Sequence, residues 1–176
     1  MPTTFRRATA EDAGSLAAIA AATFALACPP ETTEASIADF ISTNLSETRF
    51  EGYLADPARA LFLAFDDERT VGYSMAVFGE PADEDVAAAI TLRPTSELSK
   101  LYVDPGFHGA GVSVALVEAA VAEARSRGAV AMWLGVNQQN ARANRFYEKN
   151  GFARVGTKKF LVGERYEDDF VRERPL

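Results

Sequence analysis

Apolar residues recur along this chain at two spacings, one near three and a half residues and one of two, and the two take turns. Thr4–Ala8 reads as a short strand that meets a helix start at Thr9. Asp12, three residues on, approximates a capping box with Asp in place of the usual Glu. Leu16, Ile19, Ala20, Thr23 and Phe24 follow at helical spacing. Beyond Pro29-Pro30 the pattern repeats at Ile37, Phe40, Ile41 and Leu45, and Phe50, Tyr53 and Leu54 predict a further short helix. "ALFLAF" (60–65) and "TVGYSMAVF" (70–78) read as strands joined across Asp66–Arg69 in an antiparallel hairpin. The acidic stretch "GEPADEDVAAAITLRPTS", with two prolines, reads as a loop or a short surface excursion. Three further elements are a strand at 97–103, a helix over Val112–Arg127 that stops at Gly128, and a buried strand at 129–136. A helix over Asn140–Lys149 stops at Asn150-Gly151, and the tail reads as a closing hairpin across Gly163. No repeat or linker divides the chain, so residues 1–176 are expected to form one domain.

Composition narrows the function classes. At 176 residues, 48% apolar and 24% charged, this is a globular chain able to bury a sizeable core. Its net charge of −7 argues against nucleic acid, which needs a basic face, and suits a cationic or neutral partner. Cys28 is the one cysteine, which leaves no disulfide framework and no thiolate cluster for zinc; it reads as a small core residue. His108 is the one histidine, which excludes a histidine-based triad and a multi-histidine metal site. The opening "MPTTFRRATAED" has no apolar signal region, and no apolar run nears the roughly 20 residues that span a bilayer. A cytoplasmic protein without a membrane partner is expected.

The stretch "LYVDPGFHGAGVSVALVEAA" (101–120) carries the first candidate chemistry. A strand breaks at Asp104-Pro105, passes Gly106, Gly109 and Gly111, and becomes a helix. A helix that starts directly after a strand presents unpaired N–H groups and a partial positive charge. Glycines there leave an anion free to approach, so the turn is a candidate pyrophosphate cradle. A P-loop would need Gly-Lys-Ser/Thr, whereas Gly111 precedes Val112-Ser113. A dinucleotide fingerprint needs its glycines in the opposite order and an acid about 20 residues later, where Arg127-Gly128 stand.

The second stretch, "GVNQQNARANRFYEKNGF" (135–152), completes a pattern. Together the two resemble the GCN5-related N-acetyltransferases. That family's acetyl-CoA turn, Arg/Gln-x-x-Gly-x-Gly/Ala, corresponds to His108, Gly109, Ala110, Gly111, Val112 and Ser113 here. Its second signature is met at Asn140, Ala143, Phe146, Tyr147, Gly151 and Phe152. His108 stands where Arg or Gln is usual, and Ser113 where Gly or Ala is; both departures bear on affinity rather than on ligand identity. The resemblance covers nearly the whole chain. It implies an α/β (α+β) fold with a mixed, mostly antiparallel, twisted sheet of about six to seven strands, flanked by helices. A splayed pair of parallel strands in that sheet would hold acetyl-CoA.

The resemblance also implies roles. Pantetheine would lie against Leu101, Tyr102 and Val103, with a main-chain N–H near Val103 facing the thioester oxygen. Asn140 would contact the pantetheine arm and cap its own helix, and Tyr147 would give a proton to the departing sulfur. Glu97 reads either as a relay for the amine's proton or as a solvated strand-edge acid. The tail resembles the PaiA-type spermine/spermidine acetyltransferases at Phe160, Gly163 and Asp169. The expected partner is a small-molecule amine, with a homodimer left open. The rival from another class is a non-catalytic acyl-CoA sensor or interaction module, and a peptide or amino-acid amine is the alternative acceptor.

Overall fold

Residues 2–176 are described by a computed structural model. Seven strands form one sheet: β1 (Thr4–Arg7), β2 (Arg59–Asp66), β3 (Arg69–Phe78), β4 (Thr95–Val103), β5 (Ala131–Asn137), β6 (Ala153–Val162) and β7 (Arg165–Pro175). Their order is β1-β2-β3-β4-β5-β7-β6, and every neighbouring pair is antiparallel except β4 and β5. Parallel neighbours need a crossover, and helix α5 (Val112–Ser126) supplies it.

The alternation within the strands divides the core in two. Leu61, Leu63, Tyr73 and Met75 point to one face and meet α1 (Ala13–Phe24), α2 (Glu34–Asn44) and α3 (Glu47–Ala55) through Leu16, Phe24, Leu45 and Phe50. Ala76, Met132, Leu134 and Val136 point to the other face and pack on Val117, Ala120 and Val121 of α5. Each fully buried Leu or Phe stabilises the fold by about 1.5–3 kcal/mol relative to exposure. The starts of α2 and α3 are fixed locally: the Thr33 and Ser46 hydroxyls accept N–H bonds from Ser36 and Arg49.

Two expectations change. The stretch read as a loop after β3 contains a short helix, α4 (Glu84–Ala89). Asp83 caps it by accepting from the N–H groups of Asp85 and Val86, and Val86 and Ile90 bury against Trp133 and Val171. The second change concerns apolar length. Ala10–Ala27 spans 18 helical residues of mean hydropathy 1.2, which by length and composition alone is enough to cross a membrane. In this fold that stretch is the core helix α1 with its flanking 3₁₀ turns, and it buries Leu16, Ile19, Ala20 and Phe24.

Candidate active site

β4 and β5 are paired only where Thr95, Ser96 and Glu97 meet Ala131, Met132 and Trp133. The Ser96 hydroxyl donates to the Ala131 carbonyl at 3.0 Å and reinforces this closed end. From Leu98 to Val103 β4 has no β5 partner, so the two strands splay and leave an edge of unpaired backbone groups.

A bulge sets what this edge presents. Opposite β3 the register steps from Met75↔Lys100 to Ala76↔Leu98, which leaves Ser99 as the extra residue. Side chains three apart would normally face opposite sides of a strand. Here Leu98 and Leu101 both join the α5 core, while Glu97, Lys100 and Tyr102 all line one recess on the other face. That recess, of about 110 Å³, is walled by Phe24, Phe40 and Phe160 and also receives Lys158 and Asp169. Burial lowers Lys100 to about 8, against the pull of Glu97, and burial raises Glu97, opposed by Lys158 and Lys100.

Beyond Val103 the chain enters the glycine turn. Gly109 and Gly111 have φ of +82° and +80°, and a Cβ at either would meet open space. Glycine is therefore required by the left-handed backbone, and the space over the turn is clear for a ligand. Gly111 caps α5, whose first N–H groups have no intrahelical partner. A pyrophosphate fits this cradle: Gly109, Ala110, Gly111, Val112 and Ser113 offer backbone donors with nothing in front of the glycines. The His108 ring turns inward instead. Its Nε2–H donates to the Val103 carbonyl at 3.0 Å and ties the turn to the strand end, so its side chain packs the loop. Its buried Nδ1 has no partner.

Helix α6 (Ala141–Lys149) forms the other wall of the splay. Asn140 caps it by accepting from the Ala143 N–H at 3.1 Å, which leaves its amide N–H₂ for another partner. Asn144 donates to the carbonyls of Asn137 and Asn140 at 3.0 and 2.9 Å, and accepts from Arg172 at 3.0 Å. This network fastens the helix to the ends of β5 and β7. Tyr147 then packs edge-on to Phe146 and Phe152. Burial raises its phenol, and the nearby Tyr102 phenol is raised by burial first and then by Tyr147, Cys28 and Asp169. Tyr147 and Asp169 thus both act on the Tyr102 phenol, and Tyr102 and Asp169 line the recess.

The sequence-predicted residues fall into two groups around this opening: Leu101–Val103, His108–Ser113, Asn140 and Tyr147 along it, and Glu97 in the recess. Phe160 and Asp169 join Glu97 there, while Gly163, with φ of +64°, turns the last hairpin. Lys100, Lys158 and Gly135 were not anticipated. Gly135 carried a legible signal, since a glycine inside an apolar strand marks a close approach.

A family model described as the acetyltransferase (GNAT) family matches residues 21–152. An uncharacterized N-acetyltransferase of Mycobacterium tuberculosis is 48% identical over 165 residues, covering 94% of this chain and 98% of that protein. A mycothiol acetyltransferase of Propionibacterium freudenreichii is 39% identical over 103 residues, 58% of this chain and 30% of that protein. Among solved structures, PaiA N-acetyltransferase from Thermoplasma acidophilum in complex with coenzyme A has a similar fold. It superposes with a TM-score of 0.79 over 100% of both chains at 19% identity.

Proposed function

We propose, since this chain belongs to the GNAT family of acetyltransferases, that it moves the acetyl group of acetyl-CoA onto a primary amine of a small molecule. The observation that carries this reading is the unpaired edge of β4 from Leu98 to Val103, flanked by the glycine turn, by Tyr147 and by a recess lined with carboxylates. An extended pantetheine arm would bond to Leu101, Tyr102 and Val103 as an added strand does. The pyrophosphate would meet the N–H groups of Gly109–Ser113, with His108 bracing the turn and Asn140 offering its free amide.

A thioester is already activated, so orientation and proton management carry most of the catalysis. A backbone N–H near Val103 would stabilise the oxygen as it gains charge. Tyr147, whose phenol pKa is raised by burial, holds its proton at neutral pH as any phenol does, and it would hand that proton to the departing thiolate. A carboxylate of the recess, Glu97 or Asp169, would manage the proton that the amine gives up.

Within this class a polyamine is the acceptor we favour. The chain's −7 charge, the recess carboxylates and the acids of the 31–39 and 83–85 segments, Glu31, Glu34, Asp39, Asp83, Glu84 and Asp85, support attraction of a cation. Phe24, Phe40 and Phe160 would flank its methylenes. Two of these acids also have structural partners: Asp83 caps α4, and Glu31 lies 3.7 Å from Arg165. Lys100 and Lys158 in the same recess favour a second reading, in which the acceptor carries a carboxylate beside its amine as an amino acid does. Salt titration of kcat/KM with spermidine tests the first. Activity should fall as the screening length shrinks from about 10 Å at 0.1 M to about 3 Å at 1 M. Activity on amino acids with none on polyamines would replace it by the second.

A further inference from the structure

We infer that Asp169 is the general base of this reaction, held at the gap between β4 and β5 by the absence of a side chain at Gly135. The inference rests on the acetyl-transfer reading and names a catalytic residue for it. Asp169 is only 5% exposed, yet its Oδ1 is buried without a hydrogen-bond partner. A buried carboxylate oxygen left unpaired is costly, and proteins keep such groups where they act. Asp169 lines the recess that contains Glu97, Lys100, Tyr102 and Lys158.

Gly135 explains how the carboxylate reaches this place. β5 is buried on both sides of it, but Gly135 itself is exposed into the splay. A Cβ there would lie 3.1 Å from Asp169 Oδ2 and 3.2 Å from Lys158 Cε. Both side chains therefore use the space that any other residue at 135 would fill. Glu97 stands differently, at the closed end where β4 still pairs with β5, and the groups that act on it are Lys158, Lys100, Arg59 and Asp83. The groups on the same side as Asp169 are Lys158 on β6, Tyr102, Lys100 and Glu97 on β4, and Glu167 on β7, and the adjacent Asp168 acts on it through the strand. Apolar Phe24, Phe40 and Leu45 cover it from the helices. Burial, opposed by Lys158, raises it to about 6, so it is ionised and ready to accept a proton near neutral pH.

The ammonium of the acceptor gives one proton to Asp169, and the freed lone pair attacks the thioester carbon. A C–N bond forms, the C–S bond breaks, and the thiolate takes the Tyr147 proton. The nitrogen's second proton restores Tyr147, and Asp169 releases its own to solvent.

The test is the pH dependence of kcat/KM for amine acetylation, with CoA affinity measured by calorimetry on the same preparations. The wild-type chain should show an acid limb near pH 6 and a plateau above it. Asp169→Asn should bind CoA as before, lose roughly 10²- to 10⁴-fold in activity and lose that limb. Its residual rate should instead climb with pH as the amine itself deprotonates toward a pKa near 10. Its Tm should be no lower, because the substitution removes an unpaired buried charge. Glu97→Gln should keep the limb. Gly135→Ala, which retains Asp169, should lower kcat and displace the limb at unchanged CoA affinity. An Asp169→Asn variant with wild-type rate and limb overturns the inference, as does loss of the limb in Glu97→Gln alone. A wild-type chain that binds CoA but acetylates no amine overturns the transfer reading as well.

Discussion

Tyr147 shows how far a single residue could be read from the sequence. Its place in the Asn140–Phe152 pattern implies a role at the thiolate; in the fold its ring packs on Phe146 and Phe152, and burial raises its pKa. Tyr147→Phe should lower turnover by about 10²- to 10⁴-fold, the usual contribution of a positioned general acid. CoA affinity should stay nearly constant, because the ring still packs on Phe146 and Phe152. Steady-state kinetics paired with calorimetry checks both halves, and wild-type turnover with chemistry limiting would leave Tyr147 a core aromatic only. Lys100 was not legible in this way. In a regular strand it would face away from Glu97, and only the bulge at Ser99 turns both into one recess. Nothing in "ELSKLYV" announces that bulge, because it arises from how β3 and β4 match in three dimensions.

At the scale of elements, the turn before α5 was legible because glycine spacing carries its own geometry. The structure adds that the φ of +80° at Gly111, and not a steric clash with the protein, is what demands glycine. Gly111→Val should strain the turn by roughly 1–2 kcal/mol and put a side chain where an anion approaches. A loss on the order of 2 kcal/mol in CoA binding is expected by calorimetry, the scale of losing charge-assisted hydrogen bonds. The 3₁₀ turn Ala10–Asp12 that leads into α1 was legible in part. Asp12 accepts from the Thr9 N–H at 2.7 Å, as the capping pattern predicted. It also takes two bonds of 2.8 Å from Arg6, a pairing that depends on β1 lying alongside. The Arg6 hydrogen bonds, against desolvation, lower Asp12 to about 2 from an ordinary 3.8. With its folded pKa below its unfolded one, the group stabilises the fold fully above about pH 5, and the contribution vanishes as pH falls towards 2. Because Arg6 is half exposed, the contribution is on the order of 1–2 kcal/mol. Asp12→Asn should therefore lower Tm at pH 7, and the gap to wild type should close in acid; an equal gap at both pH values would contradict this. Helix α4 was missed because its six residues are too few for periodicity to register among prolines and acids.

For the whole molecule, alternating patterns and turn residues were enough to locate most elements, and the two hairpins followed from their short connections. The sheet order was less accessible. That β7 inserts between β5 and β6 depends on which faces remain to be covered once α5 and α1–α3 have packed. The same order places β4 beside β5 as the lone parallel pair and lets their ends diverge, and on that divergence the proposed chemistry rests. The most direct measurement is acetyl-CoA-dependent thiol release across polyamines, amino acids, aminoglycosides and peptides, with the products weighed by mass spectrometry. Transfer predicts release that depends on the acceptor, with one acetyl group gained on its amine nitrogen. A chain that binds acetyl-CoA tightly but releases no thiol with any amine would instead be a non-catalytic acyl-CoA-binding module.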